Sequence, residues 1–412
     1  MTMRLKRFAG LGATALAAAA VWALPGIADA QDIKSIRIGY AISKTGPYTG
    51  GASITTLPNY QLWVKDVNAS GGIMLKSIGR KVPVEVVEYD DRSNSEEAVK
   101  AIERLATQDK VDFILPPWST GLNLAVGPTF NRLGYPHLAV TAATDRAPEL
   151  AKRWPNSFWF LGASKPGGDS LVDVLDKLRK DGKIGSKVAM VAVSDQFGVE
   201  LSSAARDSFK KANFELVYDK SYPIGTQDLQ PMIKEAQALN PDAFVAFSYP
   251  PDTIGITETA RVLNFNPKVF YTAVGTAFPL YKQRFGANAE GVMGVGGWNA
   301  DSPALKDYLK RHVAATGKEP DRWASPVTYV SLQILQQAIE RVGKIDRAAV
   351  IKEIQTGTFD TVMGRIKLES NIMPIVWWVG QWKDGEFYGI APARYEGARQ
   401  PVVPKPAWKS PS

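Results

Sequence analysis

Residues 84–115 read VEVVEYDDRSNSEEAVKAIERLATQDKVDFIL. The run Val84–Tyr89 is β-branched and aromatic, as a strand requires, and Asp90-Asp91 ends it. Ser93-x-x-Glu96 fits a capping box. Ala98, Ile102 and Leu105 then fall on one helical face, and Phe113–Leu115 is a second strand. A strand, a helix and a strand within about thirty residues make a crossover unit with parallel strands.

The pattern repeats outward. Ile36–Ile42 is a strand, followed by a Gly/Thr/Ser-rich loop over 43–56 and a helix with Tyr60, Trp63, Val64 and Val67 on one face, stopped at Gly71-Gly72. Beyond Leu115 come a loop at 116–121, a helix over 122–133 and a strand at His137–Val140. A second series begins near Gly168. It has helical positions Leu171, Val174, Leu175 and Leu178, strands at 187–193, 214–222, 243–247 and 269–271, and helices between them. Two further helices, over 323–342 and 346–356, cannot form a third sheet alone. The expected class is α/β, with two doubly wound parallel-sheet lobes.

Composition narrows the function. The 412 residues include 49 Lys+Arg, 41 Asp+Glu, two His and no Cys. Without Cys there is no thiolate zinc site, iron–sulfur cluster, thiol nucleophile or disulfide. His137 opens an apolar strand and reads as packed; His312 sits among Lys310 and Arg311 and reads as solvated. The sequence holds no Gly-x-Ser-x-Gly and no phosphate-cradling loop, and Gly294-x-Gly296-Gly297 lacks the setting of a dinucleotide fingerprint. Glu88, Asp90 and Asp91 offer oxygens to a hard cation, but Asp90 and Asp91 read first as a strand-end cap that orders the loops around the cleft. No catalytic residue, metal site or cofactor is expected.

Arg4, Lys6 and Arg7 precede an apolar run from Phe8 to Leu24, a break at Pro25-Gly26, and Ala28-Asp29-Ala30. This reads as a secretory signal peptide over 1–30, cut after Ala30, and places the protein in a periplasm. The segment carries three positive charges and one negative, so the net charge falls from +8 to +6 on removal. The remaining Lys and Arg are dispersed, which points away from nucleic acid. No membrane anchor is expected, and the protein reads as a monomer.

Ligands of open parallel sheets bind beyond the carboxyl ends of the strands. In the first lobe this selects Ser119, Thr120, Thr141 and Thr144 as hydroxyls and Tyr48 and Trp118 as flat apolar faces. The N-terminus of the helix after Gly121 favours a negative group. In the second lobe the same rule selects residues 195–198, 248–251 and 272–275, with Phe197 and Tyr249 able to close over a solute and Gly275 in the last loop.

At these residues the chain resembles the solute-binding proteins of ABC importers of the branched-chain amino acid (Leu/Ile/Val-binding) type, which have the type I periplasmic binding fold. The similar stretches are Ile38-Gly39 to Gly46-Pro47-Tyr48, Val67-Asn68-Ala69-Ser70-Gly71-Gly72-Ile73, Tyr89-Asp90-Asp91 with Glu96-Glu97-Ala98-Val99, Trp118-Ser119-Thr120, Thr141–Thr144 with Pro148-Glu149-Leu150, Asp195-Gln196-Phe197-Gly198, and Asp360-Thr361-Val362-Met363-Gly364. The resemblance implies a three-strand hinge, with crossovers near 162–167, 294–298 and 364–367. Lobe I would be 31–162 plus 296–364, lobe II 163–295 plus 365–398, and 399–412 an extended tail. It also implies a small-molecule ligand and an inner-membrane ABC permease as partners. Ser119 or Thr120, Ala142 and Thr144 would hold a ligand carboxylate, with Tyr48 and Phe197 flanking it. The amino-acid binders of the family place an acid in lobe II for the ammonium. In the comparable stretch 247–251 there is none, and the nearest acid is Asp252. An unpaired buried ammonium is costly, so the expected ligand is an aromatic carboxylate, stacked by Trp118, Tyr48, Phe197, Tyr249 and Trp298. Aliphatic amino acids and amides are the alternatives, and a ligand-sensing subunit for a membrane receptor is an alternative role.

Overall fold

The computed structural model describes residues 33–298 and 302–409. The expected signal peptide and its cleavage site lie outside the described residues. The described residues from Lys34 onward form one compact unit.

The first half of the chain runs β1 (Ile36–Ile42), α1 (Thr49–Thr55), α2 (Leu57–Ala69), β2 (Ile73–Leu75), β3 (Arg80–Val82), β4 (Val84–Asp90), α3 (Ser95–Thr107), β5 (Phe113–Leu115), α4 (Thr120–Leu133), β6 (His137–Ala139), α5 (Ala147–Arg153) and β7 (Ser157–Trp159). Strands β4, β1 and β5 form a parallel sheet in that order, and β6 pairs in parallel with β7. Ala98, Ile102 and Leu105 of α3 are fully buried and pack with Leu122, Val126 and Phe130 of α4 into one core. Two local readings change. The stretch 43–56 contains the short helix α1, and α3 is capped by Asn94 rather than by Ser93. Asn94 has extended backbone and its side chain accepts from the N–H groups of Glu96 and Glu97, whereas Ser93 has φ 57° and lies outside the helix.

The second sheet is built from β8 (Lys187–Val193), β9 (Glu215–Tyr222), β10 (Ala243–Phe247), β11 (Val269–Thr272) and β12 (Met293–Gly294), with α6 (Lys165–Lys180), α7 (Gln196–Lys211), α8 (Gln230–Ala238), α9 (Pro250–Val262) and α10 (Pro279–Phe285) between or before them. Strand β8 is buried from Val188 onward, which explains its unbroken apolar sequence. Then follow α11 (Pro303–Thr316), α12 (Ala324–Val342), α13 (Arg347–Thr356), the hairpin β13 (Phe359–Thr361) and β14 (Gly364–Ile366), and finally β15 (Val379–Lys383) and β16 (Glu386–Ala391). The strand order is β16-β15-β12-β11-β10-β8-β9, parallel except for β15 and β16, which add an antiparallel edge.

Helices α11 and α12 lie against α2. Tyr308 donates to Asn59 Oδ1 at 2.7 Å, and Trp63 Nε1 donates to Gln336 Oε1 at 3.3 Å. The chain therefore passes between the two lobes after β7, after β12 and before β15. The last passage begins later than 364–367. Trp159 N–H still donates to Asn371 O, and Met373 N–H to Trp159 O. His312 is 2% exposed and bonds through Nδ1 to Lys318 O, so it is an interior residue and not the solvated one its charged neighbours suggested. His137 is packed: it stacks on Phe130, its ring nitrogens meet Ser157 Oγ and Asn123 Oδ1, and burial lowers its pKa to about 3. Residues 399–409 lie along the second sheet, where Val402 N–H donates to Gln381 and Trp408 Nε1 to Phe265 O.

Candidate functional site

The loops at the carboxyl ends of both sheets face one another. In the first lobe, Ser119 is the N-cap of α4 and has φ 98°, ψ 154°, a region that only glycine enters readily. It is held there by its surroundings. Ser119 N–H donates to Thr141 Oγ1, its own Oγ accepts from Leu122 N–H, and Asn123 donates to its carbonyl. Thr120 Oγ1 accepts from Ala143 N–H, tying α4 to the loop after β6. The N–H groups of Thr120 and Gly121 point out of the helix end, where a Cβ on Gly121 would lie 3.9 Å from Gln196 Cβ of α7.

Trp118 packs against Gly51 of α1. A Cβ at Gly51 would sit 2.0 Å from the indole ring, so only glycine allows this contact. The indole N–H of Trp118 is buried and has no acceptor among the described residues.

Four rings converge from both lobes. Tyr48 is 5.7 Å from Trp118 and 5.6 Å from Tyr249, Trp118 is 5.2 Å from Tyr249, and Phe197 stacks on Tyr249 at 5.1 Å and 22°. Phe197 and Tyr249 stand at the starts of α7 and α9, where β8 and β10, neighbours in the sheet, end side by side.

The same junction brings in an acid that the sequence reading assigned no role. Asp195 caps α7 through Oδ1, which accepts from Gly198 N–H at 3.0 Å. Its Oδ2 accepts from Tyr249 at 2.7 Å and from Tyr48, in the other lobe, at 3.4 Å. Burial raises the Asp195 pKa, and burial with the Asp195 charge pushes Tyr48 up to about 12. Asp252, the acid singled out from sequence, is buried near Tyr222 and raised to about 6 by burial. The cleft is therefore not free of lobe-two acids. The carboxylate comes from the loop after β8, not the loop after β10, because strand order and not chain order sets which loops meet. Glu200, one turn into α7, also crosses: it accepts from the Thr144 hydroxyl at 2.7 Å and from Asp145 N–H at 3.2 Å. Asp195 lies in the selected loop 195–198 without a role read from sequence, and Glu200 carries no local sequence signal.

The remaining selected residues lie as follows. Thr144 is fully buried and its hydroxyl faces Glu200. Ala142 is buried among Ala139, Ala147, Leu150, Trp154 and Trp159. Gly275 has φ 107° and backs onto Pro250 at the start of α9. Trp298 is buried at the second passage between lobes, with the Arg322 guanidinium 5.2 Å over its ring. Asp90 and Asp91 organise the 43–48 loop: Asp90 accepts from the N–H groups of Lys44 and Thr45, and Asp91 from the Ser43 hydroxyl. Among the described residues there is no cluster of side chains that could hold a metal ion, and no helix is long and apolar enough to cross a membrane.

A family model described as "Periplasmic binding protein" matches residues 35–386. The chain belongs to the periplasmic binding protein family. This binding protein is 25% identical over 355 residues to the Leu/Ile/Val-binding protein of Escherichia coli K12, covering 86% of this chain and 91% of that one. Its fold matches the branched-chain amino acid transporter substrate binding protein of Streptococcus pneumoniae, solved with isoleucine, at TM-score 0.75 and 20% identity over 90% of this chain and all of that one. It equally matches an ABC-transporter solute-binding protein of Rhodopseudomonas palustris, solved with benzoate, at TM-score 0.74 and 19% identity over 90% and 97% of the two chains. The fold is thus the two-lobe type I periplasmic binding fold. Proteins of this family bind small molecules and work with ABC permeases.

Proposed function

We propose that this chain is the exported solute-binding component of an ABC importer, freed in the periplasm by cleavage after Ala30, and that it captures a small carboxylate bearing a flat ring. The observation that carries this reading is the ring cage of Tyr48, Trp118, Phe197 and Tyr249 beside the N-terminus of α4. A ring entering between the lobes exchanges contacts among these side chains for contacts with itself, each worth about 0.5–1.5 kcal/mol beyond burial. The outward N–H groups of α4 and the unpartnered Trp118 indole N–H supply donors for the carboxylate. The benzoate held by the Rhodopseudomonas protein is chemistry of this kind.

A second reading, an α-amino acid, is favoured by one observation. Asp195 and Glu200 bring two carboxylates to the same junction, and either can pair an ammonium. The isoleucine of the Streptococcus protein and the name of the Escherichia relative belong to that class.

A thermal-shift panel of benzoate, 4-hydroxybenzoate, phenylalanine and leucine separates the two, since a ligand that binds only the folded state raises its melting temperature. Shifts with the benzoates and none with leucine support the first reading. A shift with leucine alone overturns it in favour of the second. Stoichiometric recovery of the bound solute, chemically unchanged, is expected in either case; turnover would overturn both.

A further inference from the structure

Helix α7 belongs to the second lobe, yet the side chain of Glu200 ends on the first. One carboxylate oxygen accepts from the Thr144 hydroxyl at 2.7 Å and from Gln196 Nε2, on its own helix, at 3.0 Å. The other accepts from Asp145 N–H at 3.2 Å. Thr144 is fully buried, and its oxygen already accepts from Arg146 N–H at 3.2 Å, so its hydroxyl hydrogen is committed to Glu200. The two helix starts are in close approach here: a Cβ on Gly121, at the start of α4, would lie 3.9 Å from Gln196 Cβ.

The donors that Glu200 takes are a hydroxyl and a backbone N–H at the start of α5. They are the kind of pair that a solute carboxylate would take from lobe one. Glu200 is a carboxylate tethered to lobe two. Seated on these donors, it joins the lobes as a bound solute would. Charge-assisted hydrogen bonds of this geometry are the stronger kind.

We propose that Glu200 is a positioning residue that closes the cleft in the absence of solute, standing in for a solute carboxylate at Thr144 and Asp145. Capture of a solute at that position then requires Glu200 to give way, so the solute's affinity is set against an internal competitor. A closed state already populated before binding reduces the reorganisation that binding must drive. This inference rests on the reading of the cleft as the solute site only for its consequence for affinity. The closure itself rests on the contacts of Glu200 with Thr144 and Asp145 alone.

The test therefore uses no solute. The chain has no cysteine, so dyes go on Lys100→Cys of α3, a side chain 66% exposed, and Val262→Cys of α9, 74% exposed. Single-molecule energy transfer reads the distance between lobes. Relative to the parent, Glu200→Ala is expected to lower the closed-to-open ratio about tenfold, the ratio equivalent to ~1.4 kcal/mol. Thr144→Val, which keeps shape and loses the donor, is expected to do the same, and the double variant to add little further. Glu200→Gln, which retains an acceptor without the charge, is expected to fall between. An unchanged distance distribution in both Glu200→Ala and Thr144→Val, with only a lower melting temperature, would overturn the proposal by showing a bond that is structural alone. If either single variant fails to fold, the other carries the test. A thermal-shift panel without any responding carboxylate would overturn the functional reading and leave this result standing.

Discussion

The Tyr249 hydroxyl lies 2.7 Å from Asp195 Oδ2 and donates to it, while Tyr48 of the opposite lobe approaches the same oxygen at 3.4 Å. One carboxylate therefore receives a hydroxyl from each side of the cleft. Tyr249 is 2% exposed, and burial with the Asp195 charge holds its hydroxyl protonated well above the ordinary range. Replacing Tyr249 by Phe keeps the ring in the cage and removes this donor. The expected cost is about 1–3 kcal/mol of stability, as for a hydrogen bond to a charged group. Tyr249→Ala also loses the ring contacts and should cost about 3–5 kcal/mol. Urea unfolding of both variants checks the difference; a Phe variant as stable as the parent would mean that the hydroxyl contributes nothing, and equal losses that the ring contributes nothing.

Ser119 combines an N-cap side chain with a backbone that L-residues avoid. The two can be separated. Ser119→Ala removes the cap while keeping the strained backbone, and should destabilise by about 1 kcal/mol. Ser119→Gly also removes the cap but relieves strain of order 1–3 kcal/mol, and should be at least as stable as the parent. Thermal melts of the two variants decide the ranking. A glycine variant less stable than the alanine one would contradict it.

The contact of Trp118 with Gly51 predicts a steric response. Gly51→Ala places a methyl at 2.0 Å from the indole, a separation no relaxation of the methyl alone can relieve. The ring must move, at a cost of about 1–3 kcal/mol. Tryptophan fluorescence should change and binding of a ring-bearing solute should weaken, as the ring leaves the cage. Unchanged emission and affinity would show that the contact is loose.

His137 gives the pH prediction. Its folded-state pKa is depressed to about 3, from an ordinary value of 6.5, because its ring is buried against Phe130. The neutral imidazole is the form that folds. The unfolded chain takes up a proton as pH falls below 6.5 and the folded chain does not, so the stability conferred is complete above 6.5 and declines down to about 3. Compared with His137→Gln, which has no titrating group, the parent should lose a relative advantage of about 2–3 kcal/mol between pH 6.5 and 4.5. Comparing the two proteins at each pH cancels the opposite contribution of Asp91 and Asp252. These carboxyls are raised from 3.8 to about 6 by burial, so their cost to the fold accrues as pH rises from 3.8 and is complete above about 6. A pH-independent difference would place the imidazole in contact with water.

Much of the architecture was legible because it is written in short periodicities. The alternation of buried strand and one-faced helix around Ala98, Ile102 and Leu105 gave the crossover units. The apolar run 187–193 matched its strand residue for residue, since every position from Val188 onward is covered on both faces. Less legible were Asn94, which displaced Ser93 as cap by backbone conformation alone, and His312, buried in spite of its charged neighbours. The edge strands β15 and β16 escaped because their apolar residues are short and interrupted by glycine.

The candidate site divides in the same way. Tyr48, Trp118, Phe197 and Tyr249 could be chosen from the amino-acid order, because each stands at or beside the start of a helix after a strand, where such folds expose their loops. What surrounds them could not. Asp195 reaches Tyr249 across 54 positions of chain, Tyr48 reaches Asp195 across 147, and Thr144 reaches Glu200 across 56. Local sequence dictates which segment becomes helix or strand, since those preferences act over a few bonds. It leaves undecided which acid faces which hydroxyl, since that depends on sheet order and on how the two lobes meet. The charge inside the cleft belongs to the second kind of information, and it was fixed only when the chain was folded.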